Sequence, residues 1–386
     1  MTAGFPIVFG LWLGLLNLNG AELPFHFELE ERSGKPVMVI RNAEERILCD
    51  EIALSGDSMF IRMPLYDSEL RLRIGSDTLS GIWINRGRKT PATLPFVGLR
   101  NRPDRFQTTM NDTRPTDISG KWETWFDAGS TDSSLAIGIF RRMETDVVYG
   151  TFMTETGDHR FLEGRLINDS LKLSVFDGSH AWLYLARIDG DRMNGMFYSG
   201  NHYKAPFMAK RNPEIRLRDA SGITSMNGPV SFTLPDCDSV LHSTGDDRYR
   251  NRVVIYQVMG TWCPNCMDES VFLDSIYRQR ATEGLEVVGL AFERSSEFTK
   301  ATPGIRRTIN RLSISYPVVY AGSTDRERIK AVFPAMSGFA SFPTTIIADR
   351  KGQVVKVHSG FSGPATGEAW ELYKRDFSRM LDRLLR

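Results

Sequence analysis

Apolar and polar positions follow two different rules along this chain, and the rule changes near residue 228. Downstream, apolar runs at 253–258, 285–291, 316–319 and 344–348 alternate with stretches at 265–280, 305–312, 325–333 and 368–385 that read as helical. This alternation predicts an α/β sheet covered by helices on both faces. Residues 353–358, after the Asp349-Arg350-Lys351-Gly352 turn, read as an antiparallel hairpin partner, which gives the sheet a mixed character.

Upstream the pattern is that of short strands joined by Asp/Gly/Ser turns, and it occurs twice. Asp57-Ser58-Met59-Phe60-Ile61, Tyr66-Asp67-Ser68 and Asp77-Thr78-Leu79-Ser80-Gly81 are echoed in the same order by Asp169-Ser170-Leu171-Lys172-Leu173, Phe176-Asp177-Gly178 and Asp191-Arg192-Met193-Asn194-Gly195. Two related β-meanders are expected, packed as a sandwich or closed as a barrel. The expected organisation is a β-rich domain or repeat at 22–115, a second at 116–212, a linker at 213–227 and an α/β domain at 228–386; 386 residues are too many for one such domain. Trp83, Trp122, Trp125, Phe176, Trp182, Phe197 and Tyr198 read as core aromatics, with a ligand-cavity lining as the alternative.

Composition changes the picture little. With 41% hydrophobic and 25% charged residues the chain reads as soluble and globular, and a net charge of +1 gives no electrostatic case for nucleic acid. Residues 86–105 (RGRKTPATLPFVGLRNRPDR) read as a solvated, proline-containing linker. Residues 5–16 (FPIVFGLWLGLL) are too short for a membrane span but long enough for a signal-peptide core, although no Lys or Arg precedes them. Gly20 and Ala21 offer a cleavage point, so 1–21 is expected to be a signal peptide; a buried core segment and an uncleaved anchor are the alternatives.

The chemistry-bearing stretch is Trp262-Cys263-Pro264-Asn265-Cys266, two thiols separated by two residues between a strand (252–259) and a helix carrying Phe272 and Ile276. At a helix start Cys263 lies beside unpaired amides, which favour the thiolate. A fall of about 1.5 from the free value near 8.5 would ionise roughly half the sulfur at neutral pH. The bland readings are weaker. Cys49 and Cys237 stand alone and the six histidines show no short ligand spacing, so no metal is expected; so short a loop restrains the unfolded chain too little for a structural disulfide. Glu269, three residues after Cys266, shares its helix face and could accept or return the second thiol's proton, while its charge opposes thiolate formation. Alternatively it only complements the helix start, as Asp268 is expected to do. Trp262 reads as a shield over the pair.

From about residue 228 to 386 the chain resembles the TlpA/ResA-like thiol-disulfide oxidoreductases, extracytoplasmic members of the thioredoxin superfamily. The resemblance rests on Phe232-Thr233-Leu234-Pro235-Asp236, Gly260-Thr261-Trp262-Cys263-Pro264-Asn265-Cys266, Glu269, Val287-Val288-Gly289-Leu290-Ala291 and Phe342-Pro343-Thr344-Thr345. It implies a thioredoxin-like fold, no cofactor, and a cis bond between Phe342 and Pro343 packed against the dithiol, with the Phe342 backbone docking substrate. It further implies disulfide-containing protein substrates, a membrane or envelope thiol-disulfide electron donor, and a place in the periplasm or cell envelope, possibly with a membrane anchor. Val271 stands where many relatives have proline, and Phe342 fills a variable position; both bear on substrate choice. The expected function is reduction of protein disulfides, Cys263 attacking and Cys266 releasing. The alternative is a cell-envelope binding protein whose β-region recognises a ligand or partner. A peroxidase ranks lower, because Gly260 occupies the position of the usual threonine.

Overall fold

The computed structural model describes residues 8–88, 90–107, 117–144, 146–217 and 224–386. They fall into two compact units, one formed by the chain up to 153 with 159–217, the other by 154–158 with the chain from 218 onward.

The first unit is all β. Its first sheet contains β1 (Gly10–Asn17), β2 (Glu22–Arg32), β3 (Lys35–Asn42), β4 (Glu45–Cys49), β5 (Glu51–Ser55), β6 (Ser58–Arg62), β7 (Ser68–Ile74), β8 (Thr78–Asn85) and β9 (Ala92–Arg100). The spatial order is β4-β3-β2-β1-β9-β8-β7-β6-β5, so the end strands are also consecutive in the chain and the sheet is nearly closed. The second sheet contains β10 (Gly120–Phe126), β11 (Ser134–Arg142), β12 (Val147–Thr154), β13 (Gly157–Asp158), β14 (Leu162–Ile167), β15 (Ser170–Phe176), β16 (Ala181–Asp189), β17 (Arg192–Ser199) and β18 (Tyr203–Arg211). Its order is β11-β10-β18-β17-β16-β15-β14-β12-β13, and pairing of β11 with β12 closes it. The two-fold sequence echo is therefore a pair of barrel-like meanders in which the first strand pairs with both the second and the last, not a sandwich.

Alternation decides which side chains point inward. In β7 (SELRLRI) Leu70, Leu72 and Ile74 are buried while Arg71 and Arg73 are exposed, the period of two that a one-sided strand requires. Phe25, Phe27, Phe96 and Trp83 pack with Phe176 of the second barrel in one core. Of the aromatics singled out above, Trp83, Trp122, Phe176 and Phe197 are buried, Trp182 and Tyr198 are half-buried, and Trp125 is exposed.

Two expectations need correction. The apolar run expected to be a leader core supplies β1, which is hydrogen-bonded on one side to β2 and on the other to β9. Trp12 and Leu16 are buried there, so the run's hydrophobicity serves the barrel; residues 5–7 lie outside the described residues. The expected solvated linker at 86–105 contains β9, an interior strand with Leu94 and Phe96 in the core. Pro91 and Pro103 lie outside β9, and Pro95 lies just past the end of the β1 pairing, whose last partner on β9 is Phe96. The expected boundary at 115/116 and part of the 213–227 linker, residues 218–223, lie outside the described residues.

The second unit carries a five-stranded sheet. It comprises β19 (Ser225–Met226), β20 (Thr233–Pro235), β21 (Leu241–Ser243), β22 (Val253–Met259), α1 (Pro264–Arg280), β23 (Leu285–Glu293), α2 (Phe298–Leu312), β24 (Val318–Ser323), α3 (Arg326–Val332), β25 (Met336–Ser337), β26 (Thr344–Ala348), β27 (Val354–Ser359) and α4 (Glu368–Leu385). The sheet order is β24-β23-β22-β26-β27, parallel across β24-β23-β22 and antiparallel across β22-β26-β27. Central strands buried on both faces read as continuous apolar runs, and every residue of β22, β23 and β26 is buried. β19, inside the expected linker, pairs with β25, so the unit's structure begins before residue 228.

Candidate functional site

The site forms where β22, the centre of the sheet, gives way to α1. After Met259 the chain turns through Gly260, Thr261 and Trp262, and Cys263 becomes the N-cap of α1 with Pro264 following. Proline suits that first helical turn, since its fixed φ is helical and its missing N–H would have had no partner. The Cys263 sulfur accepts the Cys266 amide N–H at 3.2 Å, the capping bond that a serine or aspartate oxygen usually makes. Cys263 and Cys266 are joined as a disulfide with Cα atoms 5.2 Å apart. Cys266 is fully buried and Cys263 is 6% exposed, so of the two only Cys263 reaches the surface. A Cβ on Gly260 would lie 2.3 Å from Trp262 Nε1 and 2.8 Å from the Phe292 carbonyl oxygen, so this turn leaves no room there for the threonine of a peroxidase.

Glu269, one turn further along α1, is completely buried. Thr345 Oγ1 donates to its Oε1 at 2.5 Å and Gln257 Nε2 donates to its Oε2 at 2.9 Å. Burial pushes its carboxyl up to about 7, against the downward pull of those two hydrogen bonds. Gln257 ties the group to the dithiol, since the same Nε2 donates to the Cys266 carbonyl at 3.2 Å. Its Oε1 accepts from Ser270 Oγ at 3.1 Å and from Tyr316 Oη at 3.0 Å. Five polar side chains from β22, α1, the start of the β24 segment and β26 thus form one satisfied buried network behind Cys266, the kind of arrangement that fixes geometry in a low-dielectric interior.

On the other side stands an aromatic wall. Trp262 donates through Nε1 to the Phe292 carbonyl at 3.0 Å and meets Phe342 edge-on at 5.2 Å, while Phe342 contacts Phe339 at 5.0 Å. Arg294 lies 4.5 Å over the Trp262 ring. The Phe342–Pro343 peptide bond is cis, and Pro343 uses its carbonyl to accept Gly360 N–H at 2.7 Å. Val271 is 50% exposed on α1. A second buried carboxylate, Glu293, holds Thr261 through both oxygens.

The structure thus brings Trp262, Cys263, Cys266 and Glu269 together at one junction, with Phe342 against Trp262 and the strand after Pro343 supplying Thr345. Sequence reasoning did not single out Gln257, Ser270, Tyr316 or Glu293. Gln257 had a readable signal, as the lone amide in the buried run VVIYQVM; Glu293 had a similar one, an acid closing the apolar run LEVVGLAFE.

Residues 225–369 match the family described as Redoxin, which places a Redoxin domain in the C-terminal part of the chain. Over 131 residues the chain is 27% identical to the thiol-disulfide oxidoreductase ResA of Halalkalibacterium halodurans, covering 34% of this chain and 66% of that protein. The ResA of Bacillus subtilis is 25% identical over 130 residues, covering 34% of this chain and 64% of that protein. The chain therefore spans just under two thirds of the length of these relatives. Among solved structures, a thiol:disulfide interchange protein of the thioredoxin family from Chlorobium tepidum TLS is similar at 23% identity and a TM-score of 0.33, covering 42% of this chain and 98% of that one. The second unit, which is thioredoxin-like, contains the whole of the Redoxin match.

Proposed function

We propose that this chain is an extracytoplasmic thiol-disulfide oxidoreductase that reduces protein disulfides. The observation that carries the reading is the placement of the two sulfurs: Cys263, the more accessible at 6% exposure, as the cap of α1, and Cys266 fully buried one turn in with Glu269 and Gln257 behind it. In the reduced protein the Cys263 thiolate attacks one sulfur of a substrate disulfide, forming a mixed disulfide and expelling the first substrate thiolate. Cys266 then gives its proton to the Glu269 carboxylate and attacks the Cys263 sulfur, expelling the second thiolate. Two electrons pass to the substrate, and the chain is left with the Cys263–Cys266 disulfide. A thiol donor must then reduce it, and a membrane or envelope dithiol carrier fits that task.

The names of the ResA relatives support the reaction class. A periplasmic or cell-envelope location follows the TlpA/ResA resemblance. Trp262 and Phe342 supply an apolar docking surface, and the Phe342 backbone, set by the cis bond to Pro343, pairs with a substrate segment. The test is a pair of variants assayed on insulin disulfides. Cys263→Ser should abolish reduction, whereas Cys266→Ser should attack and accumulate mixed disulfides that can be isolated and identified. Retained turnover in Cys263→Ser would sink the assignment, and ligand binding by the unsubstituted protein with no turnover would favour the binding-protein alternative.

A further inference from the structure

Glu293 takes no part in the proton transfer given to Glu269, yet its side chain is committed entirely to the turn that leads into Cys263. It closes β23 and is buried, and both of its oxygens face one residue: Oε1 accepts the Thr261 amide N–H at 2.9 Å and Oε2 accepts the Thr261 hydroxyl at 2.8 Å. Its neighbours hold the next residue, the Phe292 carbonyl accepting from Trp262 Nε1 and the Arg294 guanidinium lying over the Trp262 ring. Three consecutive residues at the end of β23 therefore grip two consecutive residues of the turn. Helix α2 closes over the same point, for a Cβ on Gly304 would lie 3.3 Å from Thr261 Oγ1. A buried carboxylate is a costly way to fill space, and an apolar side chain would fill it more cheaply. What the carboxylate adds is two acceptors in fixed directions.

We propose that Glu293 is a positioning residue for the redox reaction, holding Thr261 at two points so that the turn presents Cys263 to a substrate disulfide in one geometry. The proposal rests on the functional reading above. The grip depends on charge. Burial pushes the Glu293 carboxyl up to about 7, against the Thr261 bonds and Arg294, so protonation would turn one of its two acceptors into a donor near neutral pH. The other ionisable groups that face it are Arg294 beside it and Tyr320 on β24, whose ionisation it opposes. Glu269 is the second buried carboxyl of the site.

The test compares full-length protein, Glu293→Ala and Glu293→Gln in three measurements: insulin reduction as kcat and KM, alkylation of Cys263 by iodoacetamide across neutral pH, and thermal melting. Loss of both acceptors in Glu293→Ala should lower kcat/KM about tenfold, mainly in the attack step. The amide oxygen of Glu293→Gln still accepts the Thr261 N–H, so that variant should recover to within about threefold of the unsubstituted protein. Its alkylation midpoint should also move to lower pH, because the negative charge held against Thr261, two residues before Cys263, is gone, a change that a merely structural role would not produce. Unchanged kcat/KM and midpoint in Glu293→Ala would overturn the proposal, and so would equal losses in the two variants at equal melting temperature. Inert thiols in the unsubstituted protein would overturn the functional reading and the proposal with it.

Discussion

Replacing Glu269 by glutamine should make the oxidised protein more stable at alkaline pH and less stable in acid. A carboxyl pushed from its ordinary 4.5 to about 7 binds its proton more tightly in the folded chain than in the unfolded one. Its contribution is fully present below pH 4.5 and is lost as pH rises through 7, and the difference corresponds to about 3 kcal/mol. In Glu269→Gln this loss disappears. Thr345 can still donate to the amide oxygen, but the new amide N–H2 meets Gln257 Nε2, and the Gln257 amide is held in place by the Cys266 carbonyl, Ser270 and Tyr316, so about 1–2 kcal/mol is lost. Above pH 8 the variant should therefore gain about 1–2 kcal/mol, or roughly 2–8 °C in the melting of the second unit. Below pH 5 it should be weaker by about 1–2 kcal/mol. Glu293 titrates over the same range, so the pH slope of the variant should halve and not vanish. Melting curves with the disulfide closed remove thiol titration from the measurement. Parallel stability–pH curves for the two proteins would refute the argument.

In the same variant, release of mixed disulfides from Cys263 should slow by about a hundredfold when followed by quenched-flow trapping, because no carboxylate takes the Cys266 proton. In the first unit Glu163 is held down to about 2: burial alone would raise it, but Arg105, His26 and the Ala43 amide outweigh that. Burial also opposes the Arg105 charge, yet an arginine keeps its proton, so the pair at 3.1 Å is ionic, and its contribution, present above pH 4.5, should be lost as pH falls through 2. Arg105→Met should strand the carboxylate and destabilise the barrels by about 3–5 kcal/mol at neutral pH, measured by urea unfolding. Trp12→Ala should cost about 3–5 kcal/mol in that unfolding transition if residues 10–17 are a core strand, and nothing if they are dispensable. A fragment starting at residue 224 should melt higher than one starting at 228, which lacks β19 and the Thr224 hydroxyl bonds to Gly338 O at 2.9 Å and Ser359 Oγ at 2.6 Å; equal melting would refute it.

The redox unit was legible because its strands are buried on both faces and its helices have capping and turn residues between them, so each apolar run has one structural meaning. The barrels were legible only as a repeat. The run at 5–16 was ambiguous because a leader core and a buried strand demand the same thing, a dozen apolar residues, and only a comparison within the chain separates them. That comparison was available. Gly10-Leu11-Trp12 and Gly120-Lys121-Trp122 open the equivalent strands β1 and β10, each glycine with positive φ and each indole donating to the carbonyl four residues before it, Val8 at 3.2 Å and Ile118 at 2.9 Å. The repeat therefore starts at β1, twelve residues before position 22, and ends at β9, inside the stretch whose prolines and arginines suggested a linker.

The site divides along a similar line. A C-x-x-C pair and a carboxylate at helical spacing are local patterns, and local patterns survive in one dimension. Gln257, Tyr316 and Glu293 act through contacts between elements, 9 to 59 positions apart in sequence, and no helix or strand spacing rule crosses from one element to another. What betrays them is the cost of their burial. A glutamine within VVIYQVM or a glutamate ending LEVVGLAFE loses water on folding and must find partners in the protein, so a polar residue inside an apolar strand marks the place where a buried network begins. Here both such residues end at the same turn, one gripping the chain just before Cys263 and the other the carbonyl of Cys266. The two sulfurs are thus held from the sheet's central strand β22 and from its neighbour β23, which is why the chemistry sits at the end of β22 and not on a surface loop.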